Sequence, residues 1–254
     1  MVKNIKLYND DCFNVFPKIK DKSIDLFILD LPYGQTACKW DILIDLDKMW
    51  NEIKRTMKPS AIICFFCTTK FGYSIIKSNE KWFKYDLIWK KSRKVGFLSA
   101  NKRQLRQHEN IYVFKEEQGT YNPQKTEGKP YKTKGGDLTN SYYRDNKSNY
   151  KSTGNDNKGD RHPTSIIENT ILEHNNPHKT IHRTEKPVSL LEYLIKTYSN
   201  EGDKIMDFTM GSASCGIACM NTKRKFIGVE MNKEIFKLAN NRIKEHDKIL
   251  KNNI

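Results

Sequence analysis

Apolar positions along this chain fall into short dense runs separated by polar, mostly basic stretches. Ile24-Asp25-Leu26-Phe27-Ile28-Leu29 is apolar at nearly every position, which predicts a buried strand of a parallel sheet. It stops at Asp30-Leu31-Pro32-Tyr33-Gly34, where the proline forbids further ladder pairing. Leu46, Met49, Trp50, Ile53 and Met57 recur at helical spacing and predict a helix packed by one face on that sheet. Lys58-Pro59 marks a break before the next strand, Ala61 to Cys67. Residues 5–7, 85–89 and 110–114 read as further strands, and Phe71 to Ser78 as a short helix. Downstream, Leu190, Leu191, Leu194, Ile195 and Tyr198 give a helix an apolar face; Thr184 can cap it and Pro187 suits its first turn. A strand at 204–206 leads into a glycine-containing turn and the small-residue helix start Ile217-Ala218-Cys219. Lys225 to Val229 is another strand, ending at Glu230, and residues 233–245 form a last amphipathic helix.

From Lys115 to about His178 this periodicity disappears. Gly, Asn, Thr, Tyr and Lys dominate, with tyrosines at 121, 131, 142, 143 and 150. A loop of that length inside a compact domain is functional or disordered. The expected organisation is one domain over 1–114 and 179–254, interrupted by an irregular insertion at 115–178.

Charge sharpens this division. Lys and Arg exceed Asp and Glu by 45 − 30 = 15, which predicts a polyanionic partner, nucleic acid ahead of an anionic membrane. Lys90, Lys91, Arg93, Lys94, Lys102, Arg103 and Arg106 follow one another with no acid between Asp86 and Glu109, as in a phosphate-contacting loop. His108 reads as a structural hydrogen bonder. No apolar stretch approaches the ~18 residues of a membrane helix, and charged residues interrupt the first eleven positions, so a soluble, cytoplasmic protein is expected. Six cysteines in a chain of 254 residues suggest no disulfide framework. Cys64 and Cys67 lie three apart in a strand and should face opposite ways, which argues against a zinc site.

Candidate chemistry gathers at three strand ends. Asp30, the Leu31 carbonyl held extended by Pro32, and the Tyr33 ring come together where ligands bind in open α/β sheets. Strand, glycine turn, helix, strand, acid, from 204 to 230, is a recipe for holding a nucleoside cofactor, with Glu230 lying 19 residues after Gly211. Asp11 follows the first strand and could accept from a ligand's amino or hydroxyl group.

These residues carry a family resemblance. Asp-Leu-Pro-Tyr at 30–33, Thr184-Glu185-Lys186-Pro187, and Asp207-Phe208 with Gly211 resemble, in that order, motifs of the β class of S-adenosylmethionine-dependent DNA amino-methyltransferases. The resemblance covers nearly all of the chain outside 115–178. It implies an α/β, Rossmann-like methyltransferase sheet of about seven mostly parallel strands, with 115–178 as the target-recognition region. It further implies Asp30, Leu31, Pro32 and Tyr33 as catalytic residues. Asp11, Cys12, Asp30, Thr184, Lys186, Pro187, Asp207, Phe208, Gly211, Ser212, Ala213, Glu230 and Met231 would hold S-adenosyl-L-methionine. Double-stranded DNA would be the partner, contacted by Lys91, Arg93, Lys94, Lys102, Arg103 and Arg106, with no metal and no membrane; a homodimer or a partner methyltransferase subunit is compatible with this. The acid at 30 favours adenine N6, because cytosine-N4 enzymes of similar type more often carry Ser there. Leu31 replaces a proline, Ala213 a common second glycine and Cys215 a common Thr or Ser; these departures are expected to weaken cofactor binding. The alternatives are a cytosine-N4 enzyme, a weakened DNA-binding subunit, and a methyltransferase acting on RNA or on protein glutamine. A nicotinamide dehydrogenase would leave the Asp30 loop idle.

Overall fold

A computed structural model describes residues 2–34, 43–137, 151–152, 154–168 and 185–252. Its elements in chain order are β1 (Ile5–Tyr8), α1 (Cys12–Val15), β2 (Ile24–Leu29), α2 (Leu46–Thr56), β3 (Met57–Cys67), α3 (Thr69–Ser78), β4 (Phe83–Val95) and β5 (Arg106–Lys115). After the insertion come β6 (Ile166–Ile167), α4 (Val188–Tyr198), β7 (Lys204–Asp207), α5 (Ser214–Asn221), β8 (Lys225–Val229) and α6 (Lys233–Asn252). Together the strands form one sheet in the order β1-β8-β7-β2-β3-β5-β4-β6. Only β5 runs antiparallel to its neighbours; the other five pairings are parallel. The mostly parallel α/β sheet is therefore as expected, with an eighth strand. That strand is two residues long, too short to leave a periodic signal.

Burial explains why the central strands read as continuous apolar runs. Leu26 and Ile28 of β2, with Ile62, Cys64 and Phe66 of β3, join an apolar cluster with α4, α5 and α6. Phe27 and Leu29, with Ile63, Phe65 and Cys67, join a second cluster with α2 and α3. Alternate side chains thus enter helix layers on opposite faces of the sheet. Cys64 and Cys67 take opposite sides, as their spacing requires.

Two boundaries differ from expectation for a local reason. Met57 belongs to β3 and not to the preceding helix, and Pro59 lies inside that strand. The β2–β3 ladder pairs Ile24 with Met57, then shifts register and resumes at Leu26 with Ile62. Pro59 sits in the irregular stretch, where no ladder donor is missed. The basic segment is also less of a loop than predicted: β4 and β5 extend into it as a two-stranded ribbon, leaving residues 96–105 as the connection.

Residues 123–164 form a separate compact unit. Its antiparallel pairs, 126–127 with 160–161, 131–133 with 155–157 and 136–137 with 151–152, nest as one long hairpin. Arg161 lies over the Tyr131 ring at 4.7 Å. The expected tyrosines at 142, 143 and 150 lie outside the described residues.

The parallel topology sets the site. β2 is followed by α2 on one face of the sheet, and β7 by α5 on the other, while β2 and β7 are neighbours. Connections that diverge in this way mark the carboxyl ends of β2 and β7 as the place where open α/β sheets form a crevice and take ligands. Asp30, Asp207 and Glu230 end or follow the three adjacent strands β2, β7 and β8.

Two features of this crevice predict measurable stabilities. Gly228 on β8 faces the loop after β7, and a Cβ there would collide with Met210 Sδ and stand 2.6 Å from the Phe226 ring. Gly228→Ala should lower unfolding free energy by about 1–3 kcal/mol through overpacking, read from a denaturant midpoint. The Asp207 carboxyl is pushed up to about 8 by burial, helped by the charges of Asp30 and Glu230 and opposed by the Thr209 amide. A folded-state value raised above the unfolded one means stability is lost as pH rises from about 4 towards 8. Thermal melts of Asp207→Asn against wild type should therefore show the variant gaining relative stability with pH across that window; a pH-independent difference would refute the buried-acid assignment.

Candidate active site

The Asp30 loop is fixed by bonds from three directions. The Tyr33 hydroxyl lies 2.8 Å from Asp30 Oδ1, 3.0 Å from the Phe66 carbonyl and 3.3 Å from Glu109 Oε1. It has one proton for three acceptors, and the nearest is the Asp30 carboxylate. Burial, then the charges of Asp30 and Glu109, push the Tyr33 phenol far up, so it acts as a donor. Its ring packs on Phe71 at 5.0 Å. Thr209 donates through Oγ1 to the Asp30 carbonyl at 3.2 Å, tying the β2 loop to the β7 loop. Leu31 is buried and Pro32 half-buried.

Lys186, which immediately precedes Pro187 and α4, reaches this loop. Its ammonium lies 2.5 Å from Asp30 Oδ2 and 3.2 Å from Glu109 Oε1, over the Phe66 ring at 4.9 Å. Burial lowers the Lys186 ammonium, but the adjacent Asp30 and Glu109 charges outweigh it and raise it overall. Pro187 occupies the N-cap position of α4 without a side-chain capping bond, and Thr184, the expected cap and cofactor contact, lies outside the described residues.

The cofactor-type turn is equally constrained. Glu230 accepts from the Gly211 amide at 3.1 Å and from the Asn232 amide at 2.7 Å, and burial raises its carboxyl. Gly211 has a left-handed φ of +52°, and a Cβ there would meet nothing within 4 Å. Bare backbone facing open space beside a half-buried acid fits a nucleoside cofactor approaching the chain closely. Ala213 also has a left-handed backbone, at φ 61°, where an L-residue costs about 1–2 kcal/mol. Its methyl is fully buried in the apolar cluster with α4 and α5, so the departure from glycine is felt as backbone strain at the core. Cys215 is buried on the same helix.

The remaining expected residues divide. Asp11 accepts from the Phe13 amide and caps α1, with Cys12 half-buried behind it. Phe208 is buried against Phe16 and Phe27 at 5.2 and 6.4 Å, so it supports the loop from within the core. Ser212 meets Arg242, a residue the sequence did not single out. Arg242 is buried, donates to Ser214 Oγ and pairs with Glu185 at 2.5 Å, latching the segment before α4 to the glycine turn. Met231 is exposed. On the ribbon, Arg93, Lys94, Lys102 and Arg103 are exposed, whereas Arg106 is half-buried and donates to the His108 carbonyl. Lys91 turns inward to Glu109 Oε2 at 2.5 Å. Glu109 is the other residue missed. A carboxylate at the start of the apolar run Ile111-Tyr112-Val113-Phe114 was the available signal.

Among the described residues no helix is long and apolar enough to cross a membrane. A family model described as DNA methylase matches residues 24–241. Type II methyltransferase M.HpaI of Haemophilus parainfluenzae is 26% identical over 251 residues, covering 94% of this chain and 74% of the relative. Type II methyltransferase M1.MboII of Moraxella bovis is 26% identical over 264 residues, covering 94% and 96%. Among solved structures, the M1.HpyAVI–SAM complex superposes with a TM-score of 0.61 at 20% identity, covering 94% of this chain and 98% of that one. The cytosine-N4-specific PvuII DNA methyltransferase gives a TM-score of 0.66 at 15% identity, covering 98% and 93%. With a family model spanning most of its length and relatives matched over 94% of it, the chain belongs to the S-adenosylmethionine-dependent N6/N4 DNA methylases.

Proposed function

We propose that the protein transfers a methyl group from S-adenosyl-L-methionine to the N6 amine of adenine in double-stranded DNA, after the base has been flipped from the helix. The observation that carries this reading is the Asp30 carboxylate, held by Tyr33 and Lys186 at the carboxyl end of a central parallel strand. An exocyclic amine is a poor nucleophile because its lone pair is delocalised into the ring. Asp30 and the Leu31 carbonyl accept its two N–H bonds, localise that lone pair and aim it along the line of attack. Tyr33 orients the carboxylate through its hydroxyl and offers its ring to the flipped base. S-adenosylmethionine supplies, when bound, an electrophilic methyl group on a positively charged sulfur. Glu230 would accept from ribose hydroxyls, Gly211 would admit the cofactor to the backbone, and Asp11 would accept from its adenine. Holding amine and methyl in line replaces a random encounter with a positioned displacement.

The acid at position 30 supports adenine over cytosine, and the cytosine-N4 enzyme PvuII shares the fold alone. Duplex DNA as substrate is supported by the net charge of +15 and by the exposed basic ribbon. Phe97 and Leu98 project from its connection at 81% and full exposure, an apolar tip among cations of the sort that meets unstacked bases. Such chemistry belongs in the cytoplasm with the DNA.

Incubation with tritiated S-adenosylmethionine and mixed-sequence duplex DNA, followed by nucleoside chromatography, should place the label in N6-methyladenine. Label in N4-methylcytosine would keep the mechanism and change the base. Asp30→Ala should reduce labelling roughly 100-fold or more while cofactor binding persists; undiminished labelling would sink the role of the acid. Arg93→Glu with Arg103→Glu should weaken DNA binding and flatten its salt dependence by about one unit of slope for each phosphate no longer neutralised. An unchanged slope would remove the ribbon from the DNA interface.

A further inference from the structure

Resting on the methyl-transfer reading above, we propose that Glu109 is a positioning residue for the reaction, sharing the Lys186 ammonium with Asp30 so that the acid stays charged yet free to accept the target amine.

The two carboxylates are bridged twice. Lys186 Nζ stands 2.5 Å from Asp30 and 3.2 Å from Glu109, and the Tyr33 hydroxyl 2.8 Å from Asp30 and 3.3 Å from Glu109. The second oxygen of Glu109 is held by Lys91 at 2.5 Å. Asp30 and Glu109 bring two formal negative charges and Lys186 and Lys91 two formal positive ones, so the cluster's formal charges balance. The groups facing it are Tyr33 from the β2 loop, Cys67 from β3, Lys91 from β4 and Asp207 from β7. Burial opposes the charge on Glu109, but Lys186 and then Lys91 overcome it and hold that carboxyl below its ordinary value.

The arrangement meets two opposed demands. Asp30 has to act as a carboxylate, because a protonated acid keeps only a weaker neutral acceptor and adds an O–H donor beside the amine. A buried lysine paired with Asp30 alone would ensure that, but would also direct its donors onto the oxygens the amine needs. A second carboxylate within reach divides the ammonium's donors. Conversely, with Lys186 removed, Asp30 and Glu109 would face each other across one phenol, and one of two such close carboxylates takes up a proton at raised pH.

The test is a charge cycle on the intact protein, comparing wild type, Lys186→Met, Glu109→Gln and the double variant. For each, kcat/KM of methyl transfer to duplex DNA and the thermal midpoint are followed from pH 5 to 9. In Lys186→Met the acid limb of the rate profile should rise by about one pH unit or more. Adding Glu109→Gln should reverse more than half of that rise, whatever the height of the plateau. Glu109→Gln alone should lower the limb and reduce kcat while cofactor affinity is unchanged, because the ammonium then belongs to Asp30 alone. The melts read the same charges without activity: relative to wild type, Lys186→Met should lose stability as pH rises, and the second substitution should remove that trend. A merely structural Glu109 would lower stability equally at every pH and leave the limb in place. An acid limb in Lys186→Met that coincides with wild type, or one that Glu109→Gln fails to reverse, overturns the proposal. Wild type that transfers no methyl to DNA would overturn the methyl-transfer reading instead, while the melts would still decide whether Glu109 and Asp30 share the lysine.

Discussion

Strands covered on both faces cannot display charge along their length, so this chain can place ionised groups only where the strands stop. β2, β3, β7 and β8 are packed between two helix layers, and between their ends their side chains are apolar on both sides. The polar groups that remain collect at the two ends of the strands: Asp25, Lys58, Lys204 and Lys225 at the amino ends, and the acids Asp30, Asp207 and Glu230 at the carboxyl ends, where the backbone leaves the sheet. Asp30, Asp207 and Glu230 are therefore neighbours because their strands are neighbours. The reactive geometry follows from sheet order.

That crowding creates an electrostatic problem, and the structure answers it differently for each acid. Glu230 is stabilised by the Gly211 and Asn232 amides, a backbone solution that also shapes the cofactor turn. Asp207 receives the Thr209 amide, insufficient against its burial, and its carboxyl is pushed up to about 8. Asp30 has an ammonium brought from distant sequence. Lys186 is 156 residues away along the chain, yet closes the same pocket. Arg242 makes that delivery possible, since its pairing with Glu185 fixes the residue next to Lys186 against the glycine turn. A charge in α6 thus helps set the position of a charge at the end of β2.

The sequence made the central elements legible because their burial imposes periodicity. β2 and α2 could be read from apolar spacing, and the acids after β2 and β8 could be read as strand ends. What escaped reading lacks such a signature. Met57 fits the end of a helix and the start of a strand equally well, and only the register shift beside Pro59 decides between them. The outer part of β4 and the paired strands 131–133 and 155–157 expose nearly every residue, so hydrophobic alternation cannot reveal them. Their backbone pairing is real, but no buried face records it in the residue types.

Glu109 and Lys91 escaped for another reason. Each was visible, Glu109 beside a histidine and Lys91 in a run of cations expected to contact phosphates, but nothing local to either marked them as a pair. Their inward pairing depends on β5 lying antiparallel between β3 and β4, which sets Asn110 opposite Cys67 and Glu109 opposite Trp89. Strand order therefore turns a nominal surface pair into part of the active site. The same logic separates Lys91 from Arg93 and Arg103. A cation neutralised by a buried carboxylate has little charge left for a phosphate, whereas the exposed cations further out on the ribbon keep theirs. On the proposed reading, the inner end of one continuous basic segment tunes the Asp30 carboxylate and the outer end is left to meet DNA.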